Sequence, residues 1–130
     1  MIDFHLDARS GLSPYLQLVQ QVRQALRLGL LRECDQLPTV KDVVANIAIN
    51  PNTVLKAYRE LERDGLVAAR QGVGTFVTRT LTDSSLAAHE PLRRDLARWL
   101  AKARRAGLDD ESIQALFAST FRASAEQDIA

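Results

Sequence analysis

The dipeptide Asn50-Pro51 is the tightest constraint on what this chain can fold into. A proline lacks a backbone donor and pushes its predecessor out of the helical region, so no helix runs through residue 50. Yet apolar residues recur at helical spacing on both sides of it. Val40, Val43, Val44 and Ile47 make one stripe, and Val54, Ala57, Tyr58 and Leu61 make another. Thr39 is placed to cap the first helix with Asp42 three residues on, and Asn50 to cap the second, with Pro51 at its first position. The first helix has no room beyond Ala48, so two helices meet across a turn of about three residues. Gly65 is placed to end the second as a left-handed cap.

The flanking sequence supplies further elements. Phe4 and Leu6 alternate with His5 and Asp7, which predicts a short strand. Ser13, as a capping residue, and Pro14 open an amphipathic helix running to about Leu31, with Tyr15, Leu18, Val19, Val22, Leu26 and Leu30 on one face. Residues 66–70 and 75–78 read as two strands of a hairpin joined by the glycine-bearing QGVG. Residues 79–90, rich in Ser and Thr and without strong period, read as a linker. Leu92, Leu96, Trp99, Leu100 and Ala103 then form a helical stripe, Gly107 breaks it, and Asp109 caps a last helix carrying Ile113, Leu116, Phe117 and Phe121. The expected fold is mainly α with a small β-wing. It comprises a winged helix-turn-helix over residues 1–78, the linker 79–90, and a two-helix segment over 91–130.

Composition narrows the function classes. At 130 residues and 46% hydrophobic content, the chain suits one soluble domain with a modest appendage. Cys34 stands alone, and His5 and His89 share no ligand spacing with it, so neither a disulfide nor a metal is expected. No phosphate loop and no Ser-His-Asp set is present, so no cofactor and no enzymatic activity are expected. The acidic start and the lack of a long apolar run predict neither a signal peptide nor a membrane span, and hence a cytoplasmic protein. The net charge is only +1. Its placement is uneven, however: residues 43–59 and 65–82 contain no acid, and they hold Lys56, Arg59, Arg70 and Arg79. The acids Glu60, Glu62 and Asp64 cluster between those windows. A surface built from the windows is locally positive and suited to phosphate.

The wording of residues 36–77, QLPTVKDVVANIAINPNTVLKAYRELERDGLVAARQGVGTFV, resembles the DNA-binding domain of the GntR family of bacterial transcription regulators. LPTVKDVV stands before the turn, NPNTVLKAYRELERDGLV on the recognition helix and RQGVGTFV at the wing. The resemblance implies that the second helix of the motif enters the major groove, with the wing near backbone or minor groove. It puts Lys41 where the family has a phosphate-contacting basic residue, and gives Thr39 a hydroxyl or amide to offer phosphate. Asn52 and Thr53 fall on the first turn of the recognition helix, the part that reaches base edges. Lys56 is the phosphate-or-guanine candidate, with Arg59 further along the backbone. At the wing, Arg70 and Gln71 are placed to reach DNA, and Gly72 and Gly74 allow a tight turn whose amides approach it. The chain departs from the family at Pro51 and Leu55, where arginines are frequent; Leu55 either touches a thymine methyl or packs. Each residue also has a plain structural reading. Thr39 and Asn50 cap helices in any protein, Lys56 and Arg59 suit a solvated face, glycines serve any hairpin, and Tyr58 belongs to the core.

Only about 40 residues follow the linker, which resembles the short YtrA-type branch, where a helical pair mediates dimerisation. Leu92, Leu96, Trp99, Leu100, Ile113, Leu116, Phe117 and Phe121 are more apolar surface than a two-helix hairpin hides alone. Dimerisation through them is expected, with packing on the chain's own N-terminal domain as the competing explanation. Arg93, Arg94, Arg98, Lys102, Arg104 and Arg105, set against Asp95, read as a solvated face, with contact to DNA or a membrane as the alternative. The expected function is a sequence-specific regulator of double-stranded DNA, a homodimeric repressor of a (pseudo)palindromic operator, with no membrane partner and with any small-molecule effector unknown. The alternative is a winged-helix module for protein or RNA contact.

Overall fold

The computed structural model describes residues 2–81 and 86–129. Seven elements follow in order: α1 (Pro14–Leu28), α2 (Val40–Asn46), α3 (Pro51–Arg63), β1 (Val67–Arg70), β2 (Gly74–Val77), α4 (Leu86–Arg105) and α5 (Asp110–Ile129). They divide into two compact units, residues 1–88 and 89–130.

The first unit is organised by α3, which packs against α1, α2 and β1. Leu18, Val22, Leu26, Val54, Ala57, Leu61 and Leu66 are fully excluded from solvent. Each Val or Leu side chain so buried contributes on the order of 1.5–3 kcal/mol by the hydrophobic effect. Val43, Val67 and Val77 bring α2 and the hairpin into the same core. The caps form largely as the sequence requires. Thr39 Oγ1 accepts from the Asp42 amide at 3.1 Å, and Asn50 Oδ1 accepts from the Asn52 amide at 2.8 Å. Ser13 differs: it occupies the cap position of α1 but makes no side-chain cap bond, and its carbonyl alone accepts, from Gln17.

Helix α1 stops at Leu28, short of the expected Leu31, because Gly29 turns left-handed and the chain curls back onto the Ala25 carbonyl. That reversal sends Leu31 inward and leaves Leu30 51% exposed. The strand expected at the N-terminus is absent. No neighbouring strand offers it a ladder, and two glutamine side chains of α1 replace one. Gln21 Oε1 accepts from the His5 amide at 3.1 Å while its Nε2 donates to the His5 carbonyl at 2.7 Å. Gln17 repeats the pattern on Asp7, at 2.8 and 3.0 Å, and adds a bond to the Leu12 carbonyl at 2.9 Å. The clamp seats Phe4 in the core.

The hairpin pairs antiparallel from Val67 with Val77 to Arg70 with Gly74. It is broader than two strands. Residues 34–37 lie along the free edge of β2, bridging Gln36 to Phe76. The Cys34 and Leu37 amides donate to Val77 and Thr75, and the Val77 amide donates to Asp35. The short CDQL segment has too few apolar residues to announce a strand.

The second unit holds α5 and α4 from residue 89 onward; α4 itself begins at Leu86, inside the segment expected to be a linker, and carries Pro91 within it. Residues 82–85 of that segment lie outside the described residues. The break at Gly107 and the cap at Asp109 are both present, the Asp109 carboxylate accepting from the Ser112 amide at 2.8 Å. Ala103 and Ile113 are this unit's buried apolar residues among those described.

Candidate nucleic-acid interface

The surface of α3 follows from its period. With Val54, Ala57, Tyr58 and Leu61 turned inward, Asn52, Lys56 and Arg59 fall at i, i+4 and i+7 and share one exposed face. Thr53 is half-buried, and Leu55 sits at the margin, 37% exposed. The sequence leaves Leu55 open between packing and contact, and part of its side chain is accessible.

The acids at the end of α3 and its C-cap Asp64 each have a partner. Glu60 pairs with Arg63 at 3.5 Å, and Asp64 binds Arg23 of α1. Glu62 reaches across to the hairpin, its Oε2 accepting from the Ala69 amide at 3.0 Å. Among the described residues, Lys41, Lys56, Arg59 and Arg70 have no carboxylate partner. These four cations therefore keep their charge unpaired, although Glu60 stands one helical turn from Lys56.

Two of these cations rest on aromatic faces. Lys56 Nζ lies 3.9 Å from the centre of the Tyr15 ring, and the Arg70 guanidinium lies 4.9 Å from that of Phe76. Both contacts fall in the range where a ring quadrupole attracts a cation, and they hold the charges without neutralising them. Tyr15 was a core residue in the sequence reading; its role under Lys56 was missed, because nothing in the period of α1 announces a neighbour in α3.

The wing tip meets the start of α2. Thr39, Ala69, Arg70, Gln71, Gly72, Val73, Gly74 and Thr75 line one open cleft of about 400 Å³. Five expected site residues, Thr39, Arg70, Gln71, Gly72 and Gly74, are thus brought together. Lys41 is exposed on α2. Gly72 (φ 76°) and Gly74 (φ 145°) adopt backbone that side chains disfavour, and a Cβ on Gly74 would collide with the Gln36 amide. Gln36 Nε2 donates to the Val73 carbonyl at 3.3 Å, fastening the tip to residues 34–37.

Below this surface, the Tyr58 hydroxyl donates to the Pro38 carbonyl at 2.6 Å. Burial pushes its pKa well above the usual phenol range, and the nearby Asp42 charge adds to the shift. The bond ties α3 to the residue that precedes the Thr39 cap.

In the C-terminal unit, Leu96, Trp99, Leu116, Phe117 and Phe121 line a groove of about 420 Å³, and the rings of Phe117 and Phe121 stack with centres 6.0 Å apart. Leu92 is exposed, Leu100 half-buried, and Ile113 buried within the monomer. No cluster of His, Cys, Asp and Glu among the described residues is placed to hold a metal, and no described helix is long and apolar enough to cross a membrane.

Comparison with known proteins gives this surface its context. Residues 14–77, from the start of α1 to the end of β2, match the family described as "Bacterial regulatory proteins, gntR family". The chain is 40% identical to the HTH-type transcriptional repressor YtrA of Bacillus subtilis (strain 168) over 73 residues, 56% of each protein. It is 39% identical to the HTH-type transcriptional regulator Rv1152 of Mycobacterium tuberculosis over 84 residues, 64% of this chain and 69% of that one. Among solved structures, a transcriptional antiterminator from Listeria monocytogenes EGD-e matches 92% of this chain and 90% of its own, with a TM-score of 0.56 and 30% identity. The DNA-binding domain of AraR in complex with operator ORR3 matches 59% of this chain and 93% of its own, with a TM-score of 0.50 and 25% identity. The curated relatives are named as transcriptional regulators rather than enzymes. The chain belongs to the GntR family of bacterial regulatory proteins and is similar to its YtrA-type members.

Proposed function

We propose that the chain is a sequence-specific, double-stranded-DNA-binding transcription regulator that acts in the cytoplasm as a homodimeric repressor of a (pseudo)palindromic operator. One observation carries the reading: Asn52, Lys56 and Arg59 share an exposed face of α3 on which neither cation has a carboxylate partner among the described residues, while Glu60, Glu62 and Asp64 are engaged by Arg63, the Ala69 amide and Arg23. In the proposed complex α3 lies in the major groove. Asn52 offers an amide to a base edge, and Lys56 reaches guanine or phosphate. Arg59 and Lys41 meet phosphates along the same groove. The cleft between the start of α2 and the wing receives the sugar-phosphate chain, with the Thr39 hydroxyl and the amides of Gln71, Gly72 and Gly74 as donors and Arg70 as the counter-charge.

The apolar groove of the C-terminal unit supports a dimer. Leu96, Leu116, Phe117 and Phe121 are each at least 45% exposed, an apolar stripe that a second copy would cover. Two-fold pairing would present two α3 helices to inverted half-sites. Selection of bound sequences from random duplex DNA tests both parts. The expected result is an inverted repeat with half-sites about one helical turn apart or a multiple of it. Absence of any enriched sequence would remove the proposal, and a single unrepeated half-site would remove the dimer.

A further inference from the structure

The cations of α4 are not scattered around the helix. Arg94, Arg98, Lys102 and Arg105 recur at i, i+4, i+8 and i+11, so they form one stripe about 17 Å long. All four side chains are exposed. The apolar positions Leu92, Leu96, Trp99 and Ala103 fall on another side of the same helix. The helix also carries the acids Glu90 and Asp95. Asp95 pairs with Arg98 at 3.5 Å, but the partners are 67% and 76% exposed, so water screens the pair strongly. Among the described residues, Arg94, Lys102 and Arg105 have no carboxylate partner.

Resting on the proposed DNA-binding function, we infer that this stripe is a second phosphate-binding surface, engaging the duplex backbone outside the segment read by α3. Charge complementarity selects the occupant. Each DNA strand carries one phosphate per about 3.4 Å of axis, so a 17 Å stripe spans roughly five of them. Three of the four cations are arginines, whose planar fork matches phosphate oxygens in two directions at once. The covalent connection keeps the partner near: eight residues lie between Val77 at the end of the wing and Leu86 at the start of α4, so at most about 30 Å of extended chain separates the two. A membrane is the lesser fit. Insertion of α4 would require its apolar side to enter lipid, and Trp99 and Leu100 on that side are already half-buried in the protein.

The surface adds affinity without adding sequence information, because phosphate contacts are the same at every base pair. This separates its failure from failure of the function proposed above. The test replaces Arg94, Arg98, Lys102 and Arg105 together by Gln, which keeps helix propensity and side-chain length while removing charge. The full chain is titrated with the duplex enriched by selection and with an unrelated duplex of equal length, across a salt series. The quadruple variant should bind both duplexes at least about tenfold more weakly near 100 mM salt, with a log–log salt slope shallower by about 1 for each phosphate released. The preference for the selected duplex should be unchanged. Arg94→Lys with Arg98→Lys and Arg105→Lys should retain most of the wild-type slope, which a merely folding-related loss would not predict. Circular dichroism and sedimentation check that helix content and assembly are retained, and the single variants Arg94→Gln and Lys102→Gln serve if the quadruple fails to fold. Wild-type affinity and slope in the Gln variants would overturn the inference while leaving the α3 reading intact. Binding of the wild type, but not the Gln variant, to phosphatidylglycerol vesicles with DNA affinity unchanged would assign the stripe to a membrane instead. Failure of the wild type to bind any duplex would overturn both readings.

Discussion

The ammonium of Lys56 lies 3.9 Å from the centre of the Tyr15 ring, so the most forward cation of α3 is oriented by the first turn of α1. A lysine has four rotatable bonds, and holding its head group over a ring removes part of the ordering cost before any ligand arrives. Tyr15→Leu keeps an apolar side chain but releases the ammonium. It is expected to lower stability by about 0.5–1 kcal/mol in urea titration. Operator affinity should fall severalfold, but less than in Lys56→Ala, which removes the contact itself. Equal affinities for Tyr15→Leu and wild type would show that the ring does not prepare the lysine.

Gln17 is the only buried polar residue among those described, 7% exposed, and its amide satisfies both backbone groups of Asp7 and the Leu12 carbonyl. Gln17→Leu would leave the Asp7 amide and the Leu12 carbonyl without this partner in a partly buried setting, the Asp7 carbonyl keeping its bond from the Ser10 amide, at a cost of about 1–3 kcal/mol. Gln21→Ala, on the exposed half of the clamp, should cost less. Hydrogen exchange should quicken at Asp7 in the first variant and at His5 in the second. Undiminished protection in Gln17→Leu would mean that the Phe4 anchor and the Gln21 bonds to His5 hold the segment without Gln17.

Gly74→Ala separates two effects at the wing. The collision with the Gln36 amide can be relieved by rotating that side chain, which sacrifices its bond to the Val73 carbonyl. The backbone at φ 145° cannot be relieved, and such conformations cost a side-chain-bearing residue about 1–3 kcal/mol. Adding Gln36→Ala should therefore recover only part of the stability lost, as read by thermal unfolding. DNA affinity should remain depressed in the double variant, because the tip is no longer fastened.

Asp109 provides the acid-side test. Side-chain and backbone hydrogen bonds from Ser112 hold its carboxyl below the ordinary value of 3.8. A folded-state pKa below the unfolded one means that the contribution is present above the ordinary carboxylate range and is lost as pH falls through the lowered value. Helicity of wild type should decline at the bottom of an acid titration, and Asp109→Ala should remove that component of the decline. Tyr58 has the opposite sign. Its phenol is raised, so its contribution is whole below the ordinary phenol pKa of 10.0 and is lost as pH climbs beyond that. Tyr58→Phe should flatten the alkaline loss and cost about 1 kcal/mol at neutral pH through the missing bond to Pro38.

For the C-terminal groove, Phe117→Ser with Phe121→Ser should shift a dimer toward monomer in sedimentation at tens of micromolar, a range on the order of that used for weak dimers. Both rings are about half exposed or more, so the monomer should keep its helices. Loss of helicity together with loss of assembly would mean that the stacked pair serves the monomer.

Much of this protein was legible in one dimension because its signals are local. Asn50-Pro51 dictates a helix boundary, the apolar period of α3 dictates which residues remain outside, and Asp109 and Thr39 cap where their neighbours have unpaired amides. These depend on dihedral restriction and on hydrogen bonds between residues a few positions apart. What only the tertiary structure decided are relations across long sequence separations. The N-terminal segment has the alternation of a strand yet pairs with Gln17 and Gln21, because pairing needs a partner in space and α1 supplied side-chain amides where no strand edge was near. Residues 34–37 carry no strand pattern, but the open edge of β2 had backbone groups to satisfy and the nearest chain took them. The engagement of Glu62 by the wing and of Asp64 by Arg23, and the seat of Lys56 on Tyr15, likewise arise only after α1, α3 and the hairpin have closed on a shared core. The sequence by itself determined α1, the two helices that meet at Asn50-Pro51, the hairpin after them, and the residues on the exposed face of α3. Packing decided which charges remain available on its surface, because a carboxylate's partner is chosen by proximity in space.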